Sequence, residues 1–183
     1  MSDGASREPG RPERSEASDA MFGYIDQVGP GDIRRILAQQ AREAAEYFAT
    51  VSEDSSLTRY EPGKWSMREA LGHVADTERV FVYRALWFAR GLGAQLPGFS
   101  QDAAAKTAPG DALSWSAHVS EFAAVRSATV ALFANLPADA WLRAGEASGR
   151  NFTVRAMAYI TAGHTAHHLR IFRERYQPTE SVR

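Results

Sequence analysis

The sequence predicts an all-α protein, a four-helix bundle with a long crossover between its second and third helices. Three observations carry that reading. Four stretches of roughly twenty residues repeat apolar side chains at helical spacing, and none reads as a strand. Each stretch opens on a residue able to cap a helix, and the last three close near Gly, Asn or Pro. The connection GLGAQLPGFSQDAAAKTAPGDAL, between the second and third stretches, is far longer than a bundle turn requires.

Residues 1–21 are expected to form a disordered tail. After Met1 the run MSDGASREPGRPERSEASDA holds no bulky aliphatic or aromatic side chain, so it offers little to bury and lacks the apolar core of a secretory signal. The bundle domain is expected over 22–177, with a short C-terminal tail over 178–183. The first helix spans about Asp32 to Val51, capped by Asp32 after the breaker GPG, with Ile33, Leu37, Ala44, Phe48 and Val51 on one stripe. The second follows the turn Pro62-Gly63. Ser66 caps it and Glu69 completes a capping box, after which Met67, Ala70, Val74, Phe81, Ala85 and Phe88 recur until Gly91. A third helix runs from about Ser114 to Asn135 through Phe122, Val125, Thr129 and Phe133, and Pro137 stops it. The fourth begins at Thr153 and ends near Tyr176, before Pro178.

Composition excludes several functions. Lys+Arg total 21 against 22 Asp+Glu, a net charge of -1, which offers no electrostatic case for nucleic acid or an anionic membrane as partner. The chain has no cysteine, so thiolate ligands, disulfides and a cysteine nucleophile are all excluded. The most apolar stretch, RVFVYRALWFARGLG, is broken by Arg84 and Arg90 and is too short for a bilayer. A cytoplasmic protein is expected.

Three of the five histidines fall in ITAGHTAHHLRIFRERY, at 164, 167 and 168. At about 100° per residue, His164 and His168 lie roughly 40° apart on the inward face, while His167 points away. An i, i+4 pair can bring two imidazoles to one cation, but HTAHH lacks the glutamate of a zincin HExxH, so a third donor must come from another helix. His73, at the margin of the second helix's stripe, is the best candidate, ahead of His118. Spacing alone favours half-buried histidines that only hydrogen-bond a neighbour over a metal site.

Gln40, Glu78 and Arg126 fall on apolar stripes. An unpaired buried charge is expensive, so Glu78 and Arg126 are expected to pair inside the bundle with Gln40 nearby, unless all three reach water at its end. Asp76, one turn after His73, is a candidate to orient a ligand imidazole or act as a base. It can equally be an exposed carboxylate paired with Arg79 or Arg84.

The segment YEPGKWSMREALGHVADTERVFVYRALWFARG, residues 60–91, resembles the second-helix signature of the DinB/YfiT-like superfamily. LPGFSQD, AVRSATVALFANLPADAW and AYITAGHTAHHL continue the likeness in order, over roughly residues 22–177. The resemblance implies a bundle holding a divalent metal, zinc or nickel, on three histidines: one in a GH context on the second helix and an HxxxH pair on the last. These match His73, His164 and His168. It further implies either a thiol-dependent S-transferase or a metal-dependent hydrolase, and a homodimer; the alternative to an enzyme is a non-catalytic metal-binding or dimerisation module. Without cysteine in the chain, the thiol would be a low-molecular-weight cosubstrate acting on a small electrophile. Trp65, Arg84 and LPGFSQD are then candidates to line the approach to the metal.

Overall fold

The computed structural model describes residues 8–176. The four expected helices are α2 (Ile33–Phe48), α3 (Met67–Ala89), α5 (Trp115–Ala134) and α6 (Val154–Arg175), joined by the shorter α1 (Asp19–Ile25) and α4 (Gln101–Thr107). The sequence caps all operate. Asp32 accepts from the Arg34 amide, Ser66 and Glu69 form the complete capping box, Ser114 accepts from Ala117, and Thr153 accepts from Ala156. Each satisfies backbone donors that a helix start leaves free.

Two expectations are corrected. Residues 8–21 are not an unstructured tail: a 3-10 turn at Arg14–Glu16 leads into α1, which buries Phe22 and Ile25. Their anchor is electrostatic and distant. The Glu16 carboxylate accepts from Arg155 Nε at 2.7 Å and from the Thr153 hydroxyl at 2.6 Å, both at the start of α6. Arg11 donates to the carbonyls of Val28 and Ile25. Residues 1–7 and the expected tail over 178–183 lie outside the described residues.

The second correction is a hairpin where no strand was expected. β1 (Ala144–Ala147) pairs antiparallel with β2 (Arg150–Thr153), turning through Ser148 and Gly149, both at positive φ. That pair of left-handed residues is what a tight two-residue hairpin turn demands. The hairpin also anchors the crossover: the Leu96 amide donates to Glu146 O and the Ser148 amide to Leu96 O. Gly145 faces the ring of Phe88 with no space for a side chain.

The buried apolar side chains form two separate clusters. One holds Phe81, Phe88, Phe133, Met157 and Ile160; the other holds Phe48, Leu71, Phe122, Leu169 and Phe172. Between them every bundle helix contributes polar side chains: Gln40 from α2, His73, Thr77 and Glu78 from α3, Arg126 and Thr129 from α5, and His164, Thr165 and His168 from α6. The candidate site lies in this polar layer.

Candidate metal centre

His73, His164 and His168 converge across the α3–α6 interface, each offering a ring nitrogen, with all three nitrogens within 4.8 Å of one another. The Nε2 atoms of His73 and His164 face each other at 3.3 Å. With metal–nitrogen bonds of about 2.0–2.1 Å, adjacent ligands of a tetrahedral ion stand about 3.3 Å apart, so this pair already has that spacing. The Nδ1 of His73 lies 3.3 Å from the Thr77 hydroxyl, one turn along α3. A proton on Nδ1 donated to Thr77 leaves Nε2 as a bare lone pair aimed at the other rings.

Electrostatics keep the set uncharged. Burial lowers the His73 pKa, partly offset by Asp76 and Asp102. His164 is held well below its ordinary value by burial and then by its histidine neighbours. His168 is pushed down to about 3 by burial, with His73 and His167 adding to it. Neutral imidazole is the form that ligates. The three rings touch one another, Thr77 and aromatic neighbours: Trp65 lies 4.8 Å from His73 and Phe81 5.7 Å from His164, centroid to centroid. Three imidazoles without a carboxylate fit a divalent transition metal with a position left open.

The other candidates fall into place around this set. His167 points outward and is half-buried, with its Nδ1 3.4 Å from Arg170. His118 is buried and lines the same cavity as His73 but lies outside the three-histidine group, its Nε2 2.8 Å from Gly110 O. Asp76 pairs with Arg79 at 3.1 Å and makes no hydrogen bond to a ligand ring. Arg84 is drawn to Pro97 O and Ser148 Oγ, where it secures the crossover rather than the approach to the histidines. LPGFSQD does reach the site: Phe99 and Gln101 line a cavity of about 130 Å³ together with Trp65, His73 and Asp76.

Sequence reasoning missed Tyr24. Its ring stands edge-on to His164 at 5.3 Å and to His167 at 5.6 Å, so α1 walls one side of the site. No periodicity could place it there, because the contact depends on how α1 docks on α6. The role of Thr77 was more accessible, since it follows His73 by one helical turn.

Fold and site together define a protein built on a four-helix bundle with a three-histidine centre able to hold a metal ion. The DinB superfamily matches over residues 36–172, more than half of the chain, and the protein belongs to that superfamily. Its fold is similar to that of YfiT from Bacillus subtilis, described as a probable metal-dependent hydrolase with an unusual four-helix bundle topology. The two share 16% identity at a TM-score of 0.61, covering 90% of this chain and 92% of that one. No curated protein matches the sequence. Among the described residues, no helix is long and apolar enough to cross a membrane.

Proposed function

We propose that the protein is a metal-dependent enzyme that transfers a low-molecular-weight thiol to a small electrophile, with zinc or nickel held by His73, His164 and His168. The carrying observation is the convergence of three neutral imidazoles with no acidic ligand among them. A divalent ion there supplies an undiminished Lewis acid, which lowers the pKa of a thiol or a water placed on its open side.

The chain's own groups favour thiol over water. A thiol, with an ordinary pKa of about 8.5, needs little help to ionise near neutrality, whereas hydrolysis profits from a general base beside the nucleophile. Asp76, the candidate base one helical turn from His73, is engaged with Arg79. His73 and His164 are positioned by Thr77, Phe81 and Tyr24. Trp65 and Phe99 offer apolar surface beside His73 for the electrophile.

The second reading is hydrolysis by an activated water, supported by the description of YfiT. One experiment separates the two. Protein purified without a histidine tag is assayed for metal, alongside His168→Ala, and then given a chromogenic electrophile with and without a panel of small thiols. Stoichiometric metal in wild type but not in the variant, with turnover only when thiol is present, is expected. Turnover without thiol supports hydrolysis, and absence of metal from both proteins removes the proposal.

A further inference from the structure

The histidine centre fills only one side of the polar layer. The other side is an ion pair, Arg126 with Glu78, at 2.7 Å and 1% side-chain exposure for both. Its remaining bonds have a direction. Arg126 Nη2 also donates to the Thr165 hydroxyl, on the residue that follows His164. Arg126 Nη1 reaches Gln40 Oε1 at 3.3 Å, and Gln40 Nε2 donates to Ala162 O at 2.9 Å. The turn of α6 that carries His164 is therefore gripped on both sides, at Ala162 and at Thr165. The anchor for that grip is Glu78 on α3, the helix that carries His73.

Apolar packing above and below this layer fills space but is non-directional, so it fixes the register of α6 less sharply than a hydrogen bond does. Hydrogen bonds to a fully buried charge are directional and costly to leave unmade, which is the best-supported use of buried polar groups: they set register. The separation of His73 and His164 is a register quantity, because it depends on how α6 sits along and around α3.

We infer that Arg126, acting with Glu78, Gln40 and Thr165, is a positioning residue that sets His164 against His73 and thereby sets the affinity and geometry of the metal centre. This rests on the metal reading above.

Cobalt(II) is the probe, because its visible spectrum reports coordination geometry and its titration reports affinity without any turnover. Thr165→Val keeps the side chain's shape and removes the direct hydrogen bond from Arg126 to α6, leaving the one through Gln40 and Ala162. Thr129→Val removes a hydrogen bond to the same Glu78, given at 2.6 Å from α5, without touching α6. Thr165→Val is expected to weaken cobalt binding about tenfold or more, as loss of a group orienting a ligand does, and to change the visible spectrum. Thr129→Val is expected to lower the unfolding midpoint comparably while leaving cobalt affinity within about twofold. The double variant Glu78→Leu/Arg126→Met exchanges the pair for apolar side chains and separates stability from register. It is expected to stay folded yet bind cobalt weakly. Wild-type affinity and spectrum in both Thr165→Val and the double variant overturn the inference and leave the metal reading intact. Failure of wild type to bind cobalt overturns both.

Discussion

Gly163 of α6 lies against the backbone of Tyr24 so closely that a Cβ there would stand 2.1 Å from the Tyr24 carbonyl oxygen and 2.5 Å from its carbon. The missing side chain is what lets α1 settle onto α6 and bring the Tyr24 ring edge-on to His164.

Gly163→Ala tests that dependence. Ala is favoured over Gly inside a helix by about 1 kcal/mol, so the substitution would stabilise if space existed. Backbone cannot yield as a flexible side chain can, and the overpacking cost is expected to win by about 1–3 kcal/mol. Denaturant unfolding should show the loss, and limited proteolysis should cut earlier around α1. A variant as stable as wild type would mean that α1 is held elsewhere.

Glu78→Ala strands Arg126, whose side chain is 1% exposed, without its counter-charge. Removing one partner of a buried pair costs about 3–5 kcal/mol, far more than the net worth of the pair. The urea midpoint should fall accordingly. An unchanged midpoint would sink the idea of a buried pair.

Much of this was legible in advance because it is local. A capping box is a pattern of neighbours, and Ser66 with Glu69 behaves as the pattern dictates. Glu78 and Arg126 betrayed themselves as charges on apolar stripes, and His164 with His168 as two rings on one face. What escaped was tertiary. Ala144–Ala147 is too short and too polar to read as a strand, and its place is set by Leu96 and by Phe88 over Gly145. The segment from Arg11 to Glu16 looked like solvated charge until Arg155 and Thr153 met it from the far end of the chain. The link from Arg126 to Thr165 was hidden for the same reason, since two residues on different helices carry no common periodicity.

Glu16 predicts a pH dependence. Burial on its own raises its pKa, but hydrogen bonds from Arg155 and Thr153 outweigh that, leaving the carboxyl below its ordinary value of 4.5. On acidification the unfolded chain takes up the proton first. The stabilisation is thus complete above about pH 4.5 and is lost as the pH falls through the lower, folded value. Glu16→Gln is expected to cost about 1–3 kcal/mol at pH 7, a charge-assisted bond's worth. Urea midpoints of the two proteins should converge as the pH falls below 4.5 and through the lower, folded value. A gap that stays constant with pH would assign the effect to packing.

Metal should stabilise the fold itself. The ligands come from α3 and α6, which are distant in sequence, so the site exists only when the bundle is assembled and metal binds the folded state alone. At free zinc about 100 times the dissociation constant, linkage adds about 2.7 kcal/mol, and a chelator should remove that increment in full. His168→Ala separates linkage from general effects. His168 is the least covered of the three histidines, so the metal-free variant should unfold within about 1 kcal/mol of the metal-free wild type. It should nevertheless gain little from added zinc, because two imidazoles make a poor site. Thermal unfolding of both proteins with zinc and with chelator supplies the four midpoints required. If zinc raises both proteins equally, His168 is not a ligand and the site must be sought among the remaining donors.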